Sequence, residues 1–137
     1  MIEFSFQKEL DLQKQYNISS WISTAIINES YNEGDINYVF CSDEYLLEIN
    51  INHLNHNTLT DIITFNYNLG KQINTEIYIS IDRVKENAES FNNTFTDELH
   101  RVIIHGILHL CGYKDKTQEE KSLMREKEDY YLSLRNF

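Results

Sequence analysis

The stretch HGILHLCGYKD, from His105 to Asp115, decides how the C-terminal half of this chain is read. Histidines four apart on a helix share one face, a turn apart. Two imidazole nitrogens so placed can meet one Zn2+ at roughly 2.0–2.1 Å. Gly112 is placed to stop the helix, because glycine enters the left-handed backbone region without a Cβ clash. The chain can then fold back and bring Asp115 to the same point. H-x3-H-x2-G-x2-D is a coherent three-ligand pattern, with a fourth position for water or substrate as in catalytic sites. Spacing alone also fits two ordinary helix histidines; Gly112 and Asp115 at these offsets favour the ion. His100 lies off the shared face and is expected near a cap or behind the ligands. A zinc-peptidase helix carries Glu after its first His as general base. Here that position is Gly106, which leaves space beside a metal but accepts no proton.

Working outward, Thr96 can cap the helix carrying the histidines. Leu99, Val102, Ile103, Ile107, Leu108 and Leu110 make that helix apolar on more than one face, so it should be the central, most buried one. Thr117 to Glu120 reads as a capping box for a last helix, packed through Leu123, Met124, Tyr131 and Leu134. The charges of its KSLMREKED run read mostly as solvent face. Upstream, Ile2–Phe6, Ile36–Cys41, Asp61–Tyr67 and Glu76–Ile81 read as strands. A helix from about Ser19, using Trp21, Ile22, Ala25, Ile26 and Ile27, should stop near Gly34. Ser42 should cap a short helix bearing Leu46, Leu47 and Ile51. Val84 to Phe91 should form another. Strands early and helices late predict an α+β fold: a small mixed sheet of about four strands packed with about five helices, the metal site at the C-terminal end of the central helix.

The length of 137 residues, 41% hydrophobic with nine Tyr and seven Phe, suits one domain over residues 1–137 with a real core. Two cysteines do not make a disulfide framework. Cys41 and Cys111 read as small buried hydrophobes rather than nucleophiles. MIEFSFQKEL shows neither a secretion signal nor a spanning segment, so a cytoplasmic protein is expected. The formal charge of −10 disfavours tight, non-specific binding to a phosphate backbone, while leaving room for a local cationic cleft. Asp61 and Glu76, at the heads of their strands, can each serve as a catalytic carboxylate or as a solvated strand-end acid. His53 and His56 read as exposed.

HGILHLCGYKD closely resembles the signature HGxLHLxGYDH of the YbeY family of bacterial rRNA-maturation endoribonucleases. TDIITF at Thr60–Phe65 is similar to that family's TDVLSF or TNVLSF, and INTEIYISIDRVKENA to its GDIxIS strand and following helix. Order, spacing and length agree over nearly the whole chain. The resemblance implies a compact α+β domain holding one zinc ion, or another divalent transition metal, in a cleft. It implies single-strand-selective endonucleolytic cleavage of RNA in 16S rRNA 3′-end maturation and ribosome quality control. The implied partners are single-stranded RNA, an rRNA precursor and the small ribosomal subunit or an assembly factor, with no membrane and no DNA.

The family's histidine ligands carry over onto His105 and His109. Its third ligand is normally histidine and is here Asp115, which adds a negative charge and weakens the pull on phosphate; Lys114 replaces the preceding aspartate. A family arginine for RNA phosphate falls at Leu54, so Lys114, Lys116 or Arg101 is expected to supply that cation. The expected chemistry is attack on phosphorus by water activated on the ion, with His105 and His109 holding the metal and Asp61 and Glu76 as the candidate catalytic carboxylates. Tyr113 can stack a base or pack the helix end. The rivals are a metallopeptidase, which Gly106 disfavours, and a non-catalytic metal-binding ribosome-assembly factor.

Overall fold

The computed structural model describes residues 1–137. In chain order it has β1 (Ile2–Phe6), α1 (Gln15–Asn28), β2 (Asn32–Cys41), α2 (Asp43–Leu54), β3 (Ile62–Asn66), β4 (Gln72–Ser80), α3 (Ile81–Ser90), α4 (Phe95–Leu110) and α5 (Gln118–Ser133). The strands form one mixed sheet in the order β1-β2-β4-β3. β1 and β4 run parallel to β2, and β3 pairs antiparallel with β4. This is the mixed four-stranded, five-helix arrangement expected from the pattern of the sequence.

Alternation along the strands sets the layers. Ile36, Tyr38 and Phe40 of β2 and Ile73, Ile77 and Ile79 of β4 are buried in the main core, with α1 and α4. The opposite face of β3 and β4 is partly covered by α2, through a small cluster of Cys41, Leu46 and Ile63. α4 is buried along most of its surface, from Leu99 to Leu110. The buried Tyr38 hydroxyl donates to the Ile103 carbonyl at 2.9 Å, locking this helix to the sheet.

Several boundaries differ from the sequence expectation, each for a local reason. α1 starts at Gln15 rather than Ser19, behind a left-handed Lys14 with no side-chain cap. Ile18 is fully buried and extends the Trp21/Ile22/Ala25/Ile26 stripe by one turn, whereas Ile27 is exposed. Gly34 does not stop a helix; it lies in β2 beside a register shift. A Cβ there would stand 2.5 Å from the Ile73 carbonyl oxygen, so the close passage of β4 requires its absence. Ser80 caps α3 three residues earlier than expected, and Thr94 rather than Thr96 caps α4, accepting from the Asp97 amide. Ser42 and the Thr117–Glu120 capping box are as expected.

Candidate metal centre

α4 carries His105 and His109 one turn apart, with His105 at the cleft against Glu128 of α5. Gly106, about 100° further round the helix from His105, lies against the sheet. A Cβ built on it would lie 3.1 Å from Ile62 Cδ1, 3.2 Å from Ile77 Cδ1 and 3.3 Å from Thr64 Cγ2. The glycine therefore lets α4 sit close on β3 and β4; it does not open space beside the metal, which corrects the sequence reading. α4 ends at Leu110, and Gly112 takes φ 101°, the left-handed turn that sends the chain back. The returning loop is fastened by Tyr113, whose hydroxyl donates to Glu29 Oε1 at 2.7 Å. Tyr131 and Lys127 of α5 meet the same carboxylate. Burial alone would raise the Glu29 carboxyl, but the bonds from Tyr131 and Tyr113 and the Lys127 charge outweigh it and hold it below its ordinary value. Tyr113 is thus committed to holding the loop.

The turn places Asp115 Oδ2 3.4 Å from His105 Nε2 and 3.3 Å from His109 Nε2. Ligand atoms about 2.0–2.1 Å from a tetrahedral ion are roughly 3.3–3.4 Å apart, so these two separations are those of a tetrahedron's edges. All three donor atoms lie within 4.8 Å of one another. Two imidazoles and one carboxylate, half-exposed at a cleft, form a donor set suited to a divalent metal of the zinc type.

Behind the ligands stands Glu128, a residue that sequence reading left on the solvent face of α5. It is 5% exposed. Its Oε2 is 2.7 Å from His105 Nδ1, and Arg101 donates to its Oε1 at 2.9 Å. Donation from Nδ1–H to the carboxylate leaves the His105 Nε2 lone pair directed at Asp115. Burial lowers the His105 pKa, but the Glu128 hydrogen bond and the charges of Glu128, Asp115 and Asp61 reverse that, and the net shift is upward. The signal for Glu128 was present: it lies four residues after Met124 and three before Tyr131, on the packed stripe of α5.

A cleft of about 280 Å3 opens over this site, lined in part by His105, Asp115, Asp61, Arg101 and Glu128. Burial pushes the Asp61 carboxyl above its ordinary range; His105 opposes this, while Glu128 and Asp115 add to it. Glu76 is not at the cleft. Its neighbour Ile77 faces Gly106, so Glu76 projects from the other face of the sheet, with Tyr67 and Tyr78 as its nearest hydroxyl partners. This corrects its expected place beside the ligands. Arg101 reaches the cleft but donates to Glu128 and Asp129. Lys114 and Lys116 are exposed on the loop. His100 is not behind the ligands either: it is buried between Trp21 and Phe137 with Arg135 on its Nδ1. His53 and His56 are exposed, and Leu54 is a half-exposed apolar residue ending α2. Burial raises both cysteine thiols to about 12, which suits inert packing. No helix is long and apolar enough to cross a membrane.

The chain is similar to known proteins along nearly its whole length. The family model described as endoribonuclease YbeY matches residues 3–135. An endoribonuclease YbeY of Flavobacterium psychrophilum is 52% identical over 134 residues, covering 98% of this chain and 96% of the relative. That of Cytophaga hutchinsonii is 50% identical over 135 residues, covering 98% and 94%. A solution structure of a Thermotoga maritima protein superposes with a TM-score of 0.69 at 31% identity, covering 97% of this chain and 87% of that one.

Proposed function

Because the chain belongs to the YbeY family of endoribonucleases, we propose that it is a metal-dependent endoribonuclease that cuts single-stranded RNA. Its proposed setting is the cytoplasm, in maturation of the 16S rRNA 3′ end and quality control of ribosomes. The observation that carries the reading is the convergence of His105, His109 and Asp115, with Asp115 Oδ2 at tetrahedral-edge distance from both imidazoles, beside a cleft lined by His105 and Asp115. His105, His109 and Asp115 would hold a divalent ion such as Zn2+, which would supply Lewis acidity to water and to a phosphoryl oxygen.

The chain's own residues do the rest. Glu128 fixes the His105 tautomer and ring angle, and Arg101 holds Glu128 in place. Asp61, at the cleft with a raised pKa, takes the proton from the attacking water and returns it to the leaving oxygen. Gly106 supplies no base, which separates this helix from that of zinc peptidases. Asp115 makes the ligand set one negative charge richer than three neutral imidazoles, so phosphate attraction must be supplemented by a protein cation.

The test is cleavage of a labelled RNA with one stem and one single-stranded tail, by metal-loaded protein and by an identically purified His109→Ala variant. Cuts confined to the tail and lost in the variant support the reading. Equal or absent cleavage in both overturns it and leaves a non-catalytic metal-binding assembly factor.

A further inference from the structure

The four arginines of the chain are not equally free. Arg83 donates to Asp43, Arg101 to Glu128 and Asp129, and Arg135 to the Leu132 carbonyl and His100. Arg125 makes no hydrogen bond; its nearest acid is Glu128 at 3.9 Å, one turn along α5. It nevertheless lines the cleft beside His105 and Asp115. On the other flank of α4, the end of α3 contributes Phe91 to the same cleft. Phe91 is 59% exposed and packs into neither core cluster. One turn earlier, the half-buried Asn87 also lines the cleft, with its side-chain amide unbonded. An exposed phenyl ring, an unbonded amide and a guanidinium held only by one long ion pair surround one metal-type site.

We propose that Arg125, Phe91 and Asn87 form a nucleotide subsite for the substrate RNA. Phe91 stacks on an unpaired base, Asn87 hydrogen-bonds that base's edge, and Arg125 pairs with a neighbouring phosphate. The proposal rests on the ribonuclease reading and adds the residues that give it strand selectivity. A guanidinium presents a planar fork matched to two phosphate oxygens. A ring can stack only on a base that is free of its helix, so the subsite favours single strands over duplex. In a chain of net charge −10, Arg125, without a hydrogen-bond partner at the cleft, supplies the phosphate cation that Leu54 does not.

The test measures KM, kcat and salt dependence for metal-loaded protein on a labelled single-stranded RNA heptamer, with a duplex of the same sequence beside it. Melting temperatures check folding, which substitutions at these exposed side chains should leave unchanged. Arg125→Gln is expected to raise KM about tenfold and to reduce the slope of log(kcat/KM) against log[salt] by about 0.7, the contribution of one phosphate contact on a single strand. Arg125→Lys restores the slope. Phe91→Ala raises KM about tenfold with the salt slope intact and narrows the preference over duplex, while Phe91→Trp keeps both. If the parent protein cleaves the heptamer and neither Arg125→Gln nor Phe91→Ala moves KM, slope or strand preference, the subsite is overturned and the nuclease reading stands. If the parent protein does not cleave the heptamer, both fall together.

Discussion

Glu128→Gln separates the ligand set from what holds it. Glu128 accepts from two donors, His105 Nδ1 at 2.7 Å and Arg101 Nη1 at 2.9 Å, with its side chain 6% exposed. The amide keeps the shape but has one oxygen for two donors, and its NH2 must face either the histidine or the arginine. Breaking a buried pair outright costs about 3–5 kcal/mol. Arg101 keeps Asp129 at 2.8 Å, and glutamine keeps one hydrogen bond, so the metal-free variant should lose only about 1–3 kcal/mol of stability. The larger effect falls on the metal. Freed of its carboxylate, the His105 ring can turn or present the wrong tautomer, and loss of such a partner lowers metal affinity about 10- to 100-fold. Competition with a chromogenic chelator measures that affinity, and denaturant unfolding of the metal-free protein measures stability. Metal affinity within twofold of the parent protein would refute the role assigned to Glu128, whatever the stability change.

Asp61→Asn should lower the cleavage rate on the order of 10²- to 10⁴-fold while leaving metal affinity in place. The acid limb that deprotonation of Asp61 gives the pH–rate profile should vanish in the variant. His100 has its pKa pulled down to about 4 by burial and the nearby Arg135 charge. The unfolded chain therefore takes up this proton first as pH falls. The contribution of neutral His100 is complete above about pH 6.5 and lost by about pH 4, roughly 3 kcal/mol in all. His100→Asn keeps an acceptor for Arg135 and should flatten stability against pH in that window, as measured by urea unfolding. Gly106→Ala should stay within about 1 kcal/mol, because gained helix propensity offsets contacts with yielding methyl groups. Gly106→Val should cost about 1–3 kcal/mol more by wedging α4 off the sheet, read by the same unfolding assay.

The layers of the fold were legible because periodicity reports burial directly. β4 alternates, α4 is apolar nearly all round, and Gly112 with a following capping box marks the turn between α4 and α5. The helix starts were less legible: Lys14 opens α1 without a capping side chain, so only the buried Ile18 marks its first turn. In the site, His105, His109 and Asp115 could be read from chain-local spacing. Spacing from Met124 and Tyr131 puts Glu128 on the packed stripe of α5, but its partner His105 shows only when α5 is laid against α4. Gly106 misled for a similar reason. Its neighbours in sequence are ligands, but its neighbours in space are Ile62, Thr64 and Ile77 of the sheet. Glu76 failed on strand parity, which Ile77 in the core face fixes. Arg125 and Phe91 carry no motif; only their shared cleft with His105 brings them together.

The most direct measurement is a titration of Zn2+ into metal-free protein, with cleavage of a single-stranded RNA tail and bound metal followed in the same samples. The account predicts that cleavage rises in step with occupancy, saturates at about one ion per chain, and is absent from His109→Ala at every metal concentration. Cleavage that is independent of added metal, or that persists in His109→Ala, would contradict it.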